Sequence, residues 1–159
     1  MPSIKIAGHE VSVDDQDVHF LSDFHWNVRA SGRTSYVQKA LFSDGQYVGY
    51  RSLHRLIMGC PDDMVVDHIN GDGLDNRRAN LRICTAAQNT RNRKVNRNSA
   101  SGFKGVELST APRTNNPWRA RITVDGRRIS LGSYPTPEEA YAAYCRAAKK
   151  MHGEFARIA

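Results

Sequence analysis

The sequence predicts an α+β protein made of two small parts. Three observations carry that reading. Short β-branched or aromatic runs alternate with turns rich in Gly, Asp and Ser through the first half of the chain, the pattern of antiparallel strands. A strand–loop–strand–helix unit spans Val65 to Arg93, and its helix opens on a capping box, Thr85 with Gln88 three residues on. The last third then shows alternating runs followed by one long helix capped by Thr136. A chain of 159 residues holds one medium domain or two small ones. With 40% apolar and 25% charged residues it is expected to fold. No apolar run reaches membrane-spanning length, and the N-terminal stretch lacks the apolar segment of a secretory signal. Cys60, Cys84 and Cys145 are odd in number and form no CxxC pair, which argues against a disulfide framework or a structural zinc and for a reducing cytoplasm.

The elements follow in order. Ile4–Ile6 and Glu10–Val13 are short alternating runs around Gly8. Asp14 to Asp17 read as an acidic helix start, with the helix running to about Ser22 and burying Val18 and Leu21. Phe24–Ala30, Ser35–Phe42 and Gln46–Tyr50 form a β meander, with Trp26 and Tyr36 as packing residues. Arg51–Met58 is a short amphipathic helix that carries His54, either a packed histidine or a contact near phosphate. Val65-Val66 delivers Asp67 and His68; Asn80–Ile83 is the second strand of the central unit, and Asn89 lies in the second turn of its helix. Thr90–Ser101 is polar and basic, a linker able to track phosphates or simply a solvated helix end. Beyond it, Phe103–Leu108, Trp118–Val124 and Arg128–Leu131 are three strands, with a tight turn at Asp125-Gly126. Pro137 starts the closing helix, which presents Ala140, Tyr141, Tyr144, Ala147 and Ala148 to the sheet.

Charge divides the chain the same way. Residues 1–90 carry 9 Lys+Arg and 11 Asp+Glu, whereas residues 91–159 carry 14 and 5. The basic second part points to a polyanion, against the plainer reading of a solvated basic surface. In its strands Trp118, Ala120, Ile122 and Val124 alternate with Arg119, Arg121 and Thr123, so one face is apolar and the other rich in Arg.

The central unit holds the residue types that phosphodiester hydrolysis needs. Asp67 and Asn89 offer hard oxygens to a cation such as Mg2+. His68 titrates near neutrality and suits a general base. Asn80 can fix the imidazole or clamp the loop, and Arg93, one turn beyond Asn89, can clamp a phosphate.

The run LHRLIMG, then VDHINGDGLDNRRANLR and CTAAQNTRNR, resembles the HNH endonuclease family, in particular its phage and intron homing branch. The resemblance is strong over Ser52 to Arg93 and implies a ββα-metal core at about residues 64–93. It implies His68 as general base, Asn80 as the middle Asn, Asp67 as the metal-binding acid, and Asn89 where the last His usually stands. An oxygen donor at Asn89 favours Mg2+ or Mn2+ over softer metals. The segments SGFKGV, WRARI, RRISLGSY and TPEEAYAAYCRAAKKMHGEFA resemble the APETALA2-type DNA-binding domain. That resemblance implies a three-stranded antiparallel sheet backed by one helix, with the sheet in the DNA major groove. Glu107 and Ser130 depart from the Arg and Trp usual there, so sequence preference does not transfer.

The expected organisation is a meander plus nuclease over residues 1–93, a basic linker over 94–101, and a DNA-binding domain over 102–159. The expected function is a metal-dependent, homing-type DNA endonuclease of a bacterial host or its phage. The expected partner is double-stranded DNA, cut on one or both strands by a monomer or weak dimer, with no membrane involved. Expected DNA contacts are Arg91, Lys94, Arg97, Lys104, Arg119, Arg121, Thr123, Arg128 and Ser130. The competing readings are a non-catalytic DNA-binding regulator and, less favoured by the second sheet, an RNA-directed nuclease.

Overall fold

The computed structural model describes residues 3–22, 25–96, 98–110 and 115–158. Two compact units divide it, Met1–Asn89 and Thr90–Ala159. The architecture is mixed α+β, with several small antiparallel sheets and few helices.

In the first unit, β1 (Ser3–Ile6) and β2 (His9–Ser12) form a hairpin. Ala7 and Gly8 turn it with φ of 48° and 83°, the doubly positive geometry that matches strand twist. The single helix expected from Asp14 to Ser22 is broken into a 3-10 turn at Asp15–Asp17 and the one-turn α1 (His19–Ser22). The physical reason is Asp17. It is buried, and its carboxylate accepts from Arg78 Nε at 2.8 Å and Nη2 at 2.7 Å, a role that a solvent-facing first-turn acid cannot fill. Val18 and Leu21 still pack against the core.

The meander is β3 (Asn27–Ser31), β4 (Thr34–Ser43) and β5 (Gln46–Ser52), paired in that order. Phe24, the expected start of its first run, lies outside the described residues. β5 keeps Arg51 and Ser52, so α2 begins later than expected, at Leu53, and runs to Met58. Gly59 ends α2 in the left-handed region at φ 57°, where it has no Cβ to strain. Val11, Val13, Trp26, Val37, Leu53, Ile57, Val66 and Leu81 bury together, so the hairpin, meander, α2 and central strands share one core.

β6 (Val65–His68) pairs antiparallel with β7 (Leu81–Cys84). Asn80 does not lie in a strand as expected; it closes a 3-10 turn, Arg78–Asn80, because its amide is engaged by the loop. α3 (Ala86–Arg91) is opened by the expected box: Thr85 N–H donates to Gln88 Oε1 at 2.8 Å, and Gln88 N–H to Thr85 Oγ1 at 3.2 Å. Arg93 lies past the end of α3, its N–H returning to the Thr90 carbonyl at 3.2 Å, rather than on the face of Asn89.

The second unit is a sheet of β8 (Val106–Leu108), β9 (Trp118–Val124) and β10 (Arg127–Tyr134) in the order β10-β9-β8, with α4 (Pro137–His152) packed on it. β8 is shorter than expected, because Gly102 and Gly105, both at positive φ, turn the chain before Val106. A Cβ at Gly105 would sit 2.1 Å from the Tyr144 ring, so that close approach requires glycine. β10 is longer than expected and bulged between Ser130 and Gly132. Thr136 Oγ1 accepts from Glu139 N–H at 3.3 Å with Pro137 in the first turn, as the sequence predicts. Ala120, Ile122, Ala140, Ala143, Tyr144 and Ala148 fill the core between sheet and helix.

Candidate active site

Strand alternation turns the side chains of Asp67 and His68 in different directions. Asp67 stands opposite Arg82 in the β6–β7 register, and Arg82 donates to Asp67 Oδ2 from Nε at 2.9 Å and Nη2 at 2.7 Å. Both residues of the pair are largely shielded from solvent. The His68 ring turns toward the loop and α2. Its Nε2 lies 3.5 Å from Asn76 Oδ1, and Asn76 is fully buried. His54 packs edge-on against it with ring centroids 4.9 Å apart, and Tyr36 lies 5.7 Å from His68 and 5.6 Å from His54.

The Asn-, Asp- and Gly-rich loop is a hydrogen-bonded frame around His68. Asn80 Oδ1 accepts the Asn70 N–H at 3.0 Å, and Asn80 Nδ2 donates to the Asp75 carbonyl at 2.8 Å. Of the two tasks the sequence allows this residue, its amide thus performs the loop clamp; the amide on the imidazole is that of Asn76. Asp75 is held by Arg77 at 2.6 and 2.7 Å and by Asn70 Nδ2 at 2.9 Å. Gly73 N–H donates to Thr34 Oγ1 at 2.8 Å. A Cβ on Gly73 would lie 2.3 Å from the Ser35 carbonyl and 2.6 Å from the Tyr36 ring, so only glycine lets the loop lie against β4.

Electrostatics follow from burial. Burial lowers the His68 pKa; the Asn76 hydrogen bond and the charges of Asp67, Asp72 and Asp75 oppose the shift without reversing it. His54 is pushed down to about 3 by burial first and by His68 and Arg55 next, and its Nδ1 is buried without a hydrogen-bond partner. Both rings are therefore neutral at pH 7. Burial raises the Cys84 thiol, helped by the Asp67 charge and opposed by the Asn89 N–H, so residues of β6 and α3 both approach this sulfur. Asn89 itself is half-buried on α3. Among the described residues no three His, Cys, Asp or Glu side chains converge as a metal-holding group.

The second unit gathers most of the remaining expected contacts around one hollow of about 510 Å3, lined in part by Arg93, Lys94, Lys104, Arg121, Thr123 and Arg128. Not all of them face outward unengaged. Lys104 donates to the Arg91 carbonyl and, at 3.0 Å, to the Arg93 carbonyl, and burial first, then Arg157 and Arg93, pushes it down to about 8. Arg121 pairs with Glu107 at 2.7 Å and Arg91 with Asp125 at 3.3 Å. Thr123, Arg128 and Ser130 are exposed and Arg119 is half-buried on the same sheet. Arg97 lies outside the described residues.

Residues 52–91, which hold His54, Asp67, His68, Asn80 and Asn89, match the HNH endonuclease family. Protein 3.8 of Escherichia phage T7 is 31% identical over 98 residues, 62% of this chain and 78% of that protein.

Residues 52–91 form an HNH endonuclease domain.

An uncharacterized HNH endonuclease of Acanthamoeba polyphaga mimivirus is 31% identical over 127 residues, 76% of this chain. The chain spans 64% of that viral protein's own length. No solved structure matches the chain at a significant level. Nucleases with an HNH domain typically use a divalent metal, and the oxygen donors of Asp67 and Asn89 fit a hard cation. Among the described residues no helix is long and apolar enough to cross a membrane. Two residues around this site, Arg82 and Asn76, escape a reading of the sequence alone, as do the ring contacts that Tyr36 and His54 make with His68. Arg82 was recoverable in principle, since an antiparallel ribbon pairs it with Asp67. Asn76 was one more loop residue, and the ring contacts join distant segments.

Proposed function

We propose that the protein is a metal-dependent, homing-type DNA endonuclease that hydrolyses a phosphodiester bond of double-stranded DNA at a preferred site. The observation that carries this is a buried, neutral His68, oriented by Asn76 and flanked by the paired Asp67, inside the segment matched to the family. In this reading His68 takes the proton of the attacking water. Asn76 orients the ring, and Asn80 keeps the loop closed around it. Arg82 fixes the direction of the Asp67 carboxylate. Mg2+ or Mn2+ held by Asp67 and Asn89 would supply stabilisation of charge on the phosphate and the departing 3′-oxygen. Arg93 contacts phosphate from beyond α3.

The second unit, read as an APETALA2-like domain beginning at about residue 102 after a basic 94–101 linker, supplies affinity and site choice. Its exposed Lys94, Thr123, Arg128 and Ser130 and the half-buried Arg119 are the nearest candidates for DNA; Arg91, Arg97, Lys104 and Arg121 complete the set. Each chain carries one such nuclease unit, so it nicks as a monomer or cuts both strands as a weak dimer.

The test is a plasmid assay. Wild-type protein with Mg2+ is expected to nick supercoiled DNA, and His68→Ala to be slower by about 100-fold or more. Equal nicking by both proteins, or none by either, refutes the assignment.

A further inference from the structure

The meander carries a surface that the hydrolytic reading leaves unexplained. Tyr36, which touches His54 and His68, shares a face of the sheet with the directly opposite Arg29. Two and three steps of alternation further along β4 lie Ala40, opposite Tyr50, and Phe42, opposite Tyr47. The side chains confirm the shared face. The Arg29 guanidinium sits over the Tyr50 ring at 6.0 Å, and Phe42 meets Tyr47 edge-on at 6.0 Å. More than half of Phe42, Tyr47 and Tyr50 is exposed. An aromatic strip thus leads away from His68 to the tip of the β4–β5 hairpin.

Charge selects its occupant. Residues 27–52 hold Arg29, Arg33, Lys39 and Arg51 against Asp44 alone, while the rest of residues 1–90 holds 5 Lys+Arg and 10 Asp+Glu. The meander is the basic part of an otherwise acidic unit. Exposed aromatic side chains beside Arg on a sheet suit a duplex, the rings packing on sugars and groove edges while the guanidinium meets phosphate. Continuity with the site points the same way. A duplex is much longer than the pocket around His68, so the strand cut there has to run on over neighbouring surface. From Tyr36 to Phe42 is six residues of strand, about 20 Å, or about six base pairs of duplex.

We infer that the β4–β5 hairpin is a second DNA-contacting surface, in which Phe42, Tyr47 and Tyr50 pack on the nucleotides flanking the scissile phosphate and Arg29 meets the backbone. This rests on the nuclease reading above for its alignment with His68.

The experiment uses the full chain carrying His68→Ala, with Tyr47→p-benzoylphenylalanine, irradiated with end-labelled linear duplex DNA. Phe42→p-benzoylphenylalanine is the second probe, and the same group at the exposed Asp62 is the control. DNA adducts from positions 47 or 42 but not 62 are expected. No DNA adduct, or a protein dimer in its place, overturns the inference, the latter in favour of self-association. In parallel, Phe42→Ala with Tyr47→Ala on the active chain is expected to raise half-saturating plasmid about tenfold with little change in the maximal nicking rate. If wild-type protein fails to nick at all, the nuclease reading falls while the adduct still decides the surface.

Discussion

His54 and His68 are two imidazoles held neutral in one buried corner, and that has a sign in pH. Each resists protonation in the folded chain and accepts it near pH 6.5 once unfolded. The unfolded state therefore binds more protons, so their contribution is present above pH 6.5 and is lost as pH falls, for His54 down to about 3. Asp75, held below the usual carboxylate range by Arg77, acts in the same direction at lower pH. Urea unfolding at stepped pH is expected to show stability falling steadily below pH 6.5. His54→Phe is expected to flatten that fall by up to a few kcal/mol, with little loss at pH 7, since it removes a nitrogen that has no partner. A wild-type curve flat across this range would refute the account. Asn80→Ala tests the loop in another way. It strands the Asn70 N–H and the Asp75 carbonyl, at about 1–3 kcal/mol each, and thermal melting should register a fall of several degrees or more.

Among the elements, the β6–β7 ribbon and α3 hold the candidate site residues Asp67, His68 and Asn89, and each has a defined weak point. Arg82→Met leaves the buried Asp67 carboxylate without its partner and is expected to cost about 3–5 kcal/mol, read by chemical denaturation. Thr85→Ala removes half of the capping box and costs about 1 kcal/mol. A loss under a few tenths of a kcal/mol would show that α3 is held by packing rather than by its cap. These elements also show what was legible beforehand. β9 and α4 read cleanly because period-two alternation and a Thr-Pro start are local signals, and local geometry decides them. The helix expected through Asp14–Ser22 failed because Asp17 answers to Arg78, sixty-one residues away. The strand-like neighbours of Asn80 predict a strand there, whereas its own amide is taken by the loop. The polar run after Asn89 carries no stop signal, so the sequence extends the helix face to Arg93, whereas α3 ends at Arg91. His68 and Asp67 were visible as neighbours in sequence; the ring contacts that enclose His68 link β4, α2 and β6 and leave no local trace.

For the whole molecule, charge and partner bonds together predict how DNA binding responds to salt. Lys94 and Arg128 are exposed and line the basic hollow, so each alanine substitution should lower the steepness of log affinity against log salt by about 0.9. Lys104 lines the same hollow but holds the Arg91 and Arg93 carbonyls, so Lys104→Ala should register in melting temperature more than in salt slope. Binding measured from low to high salt by fluorescence anisotropy separates the two effects, and equal slopes for all three variants would refute the distinction. The contact at Gly73 ties the loop that frames His68 to the meander, because its backbone rests against Ser35 and Tyr36 and its amide donates to Thr34. That joins segments thirty-nine residues apart, a closure that costs chain entropy before any contact repays it. The frame around His68 therefore has no support of its own without the meander, and a change that loosens β4 is felt first in the loop that encloses the imidazole.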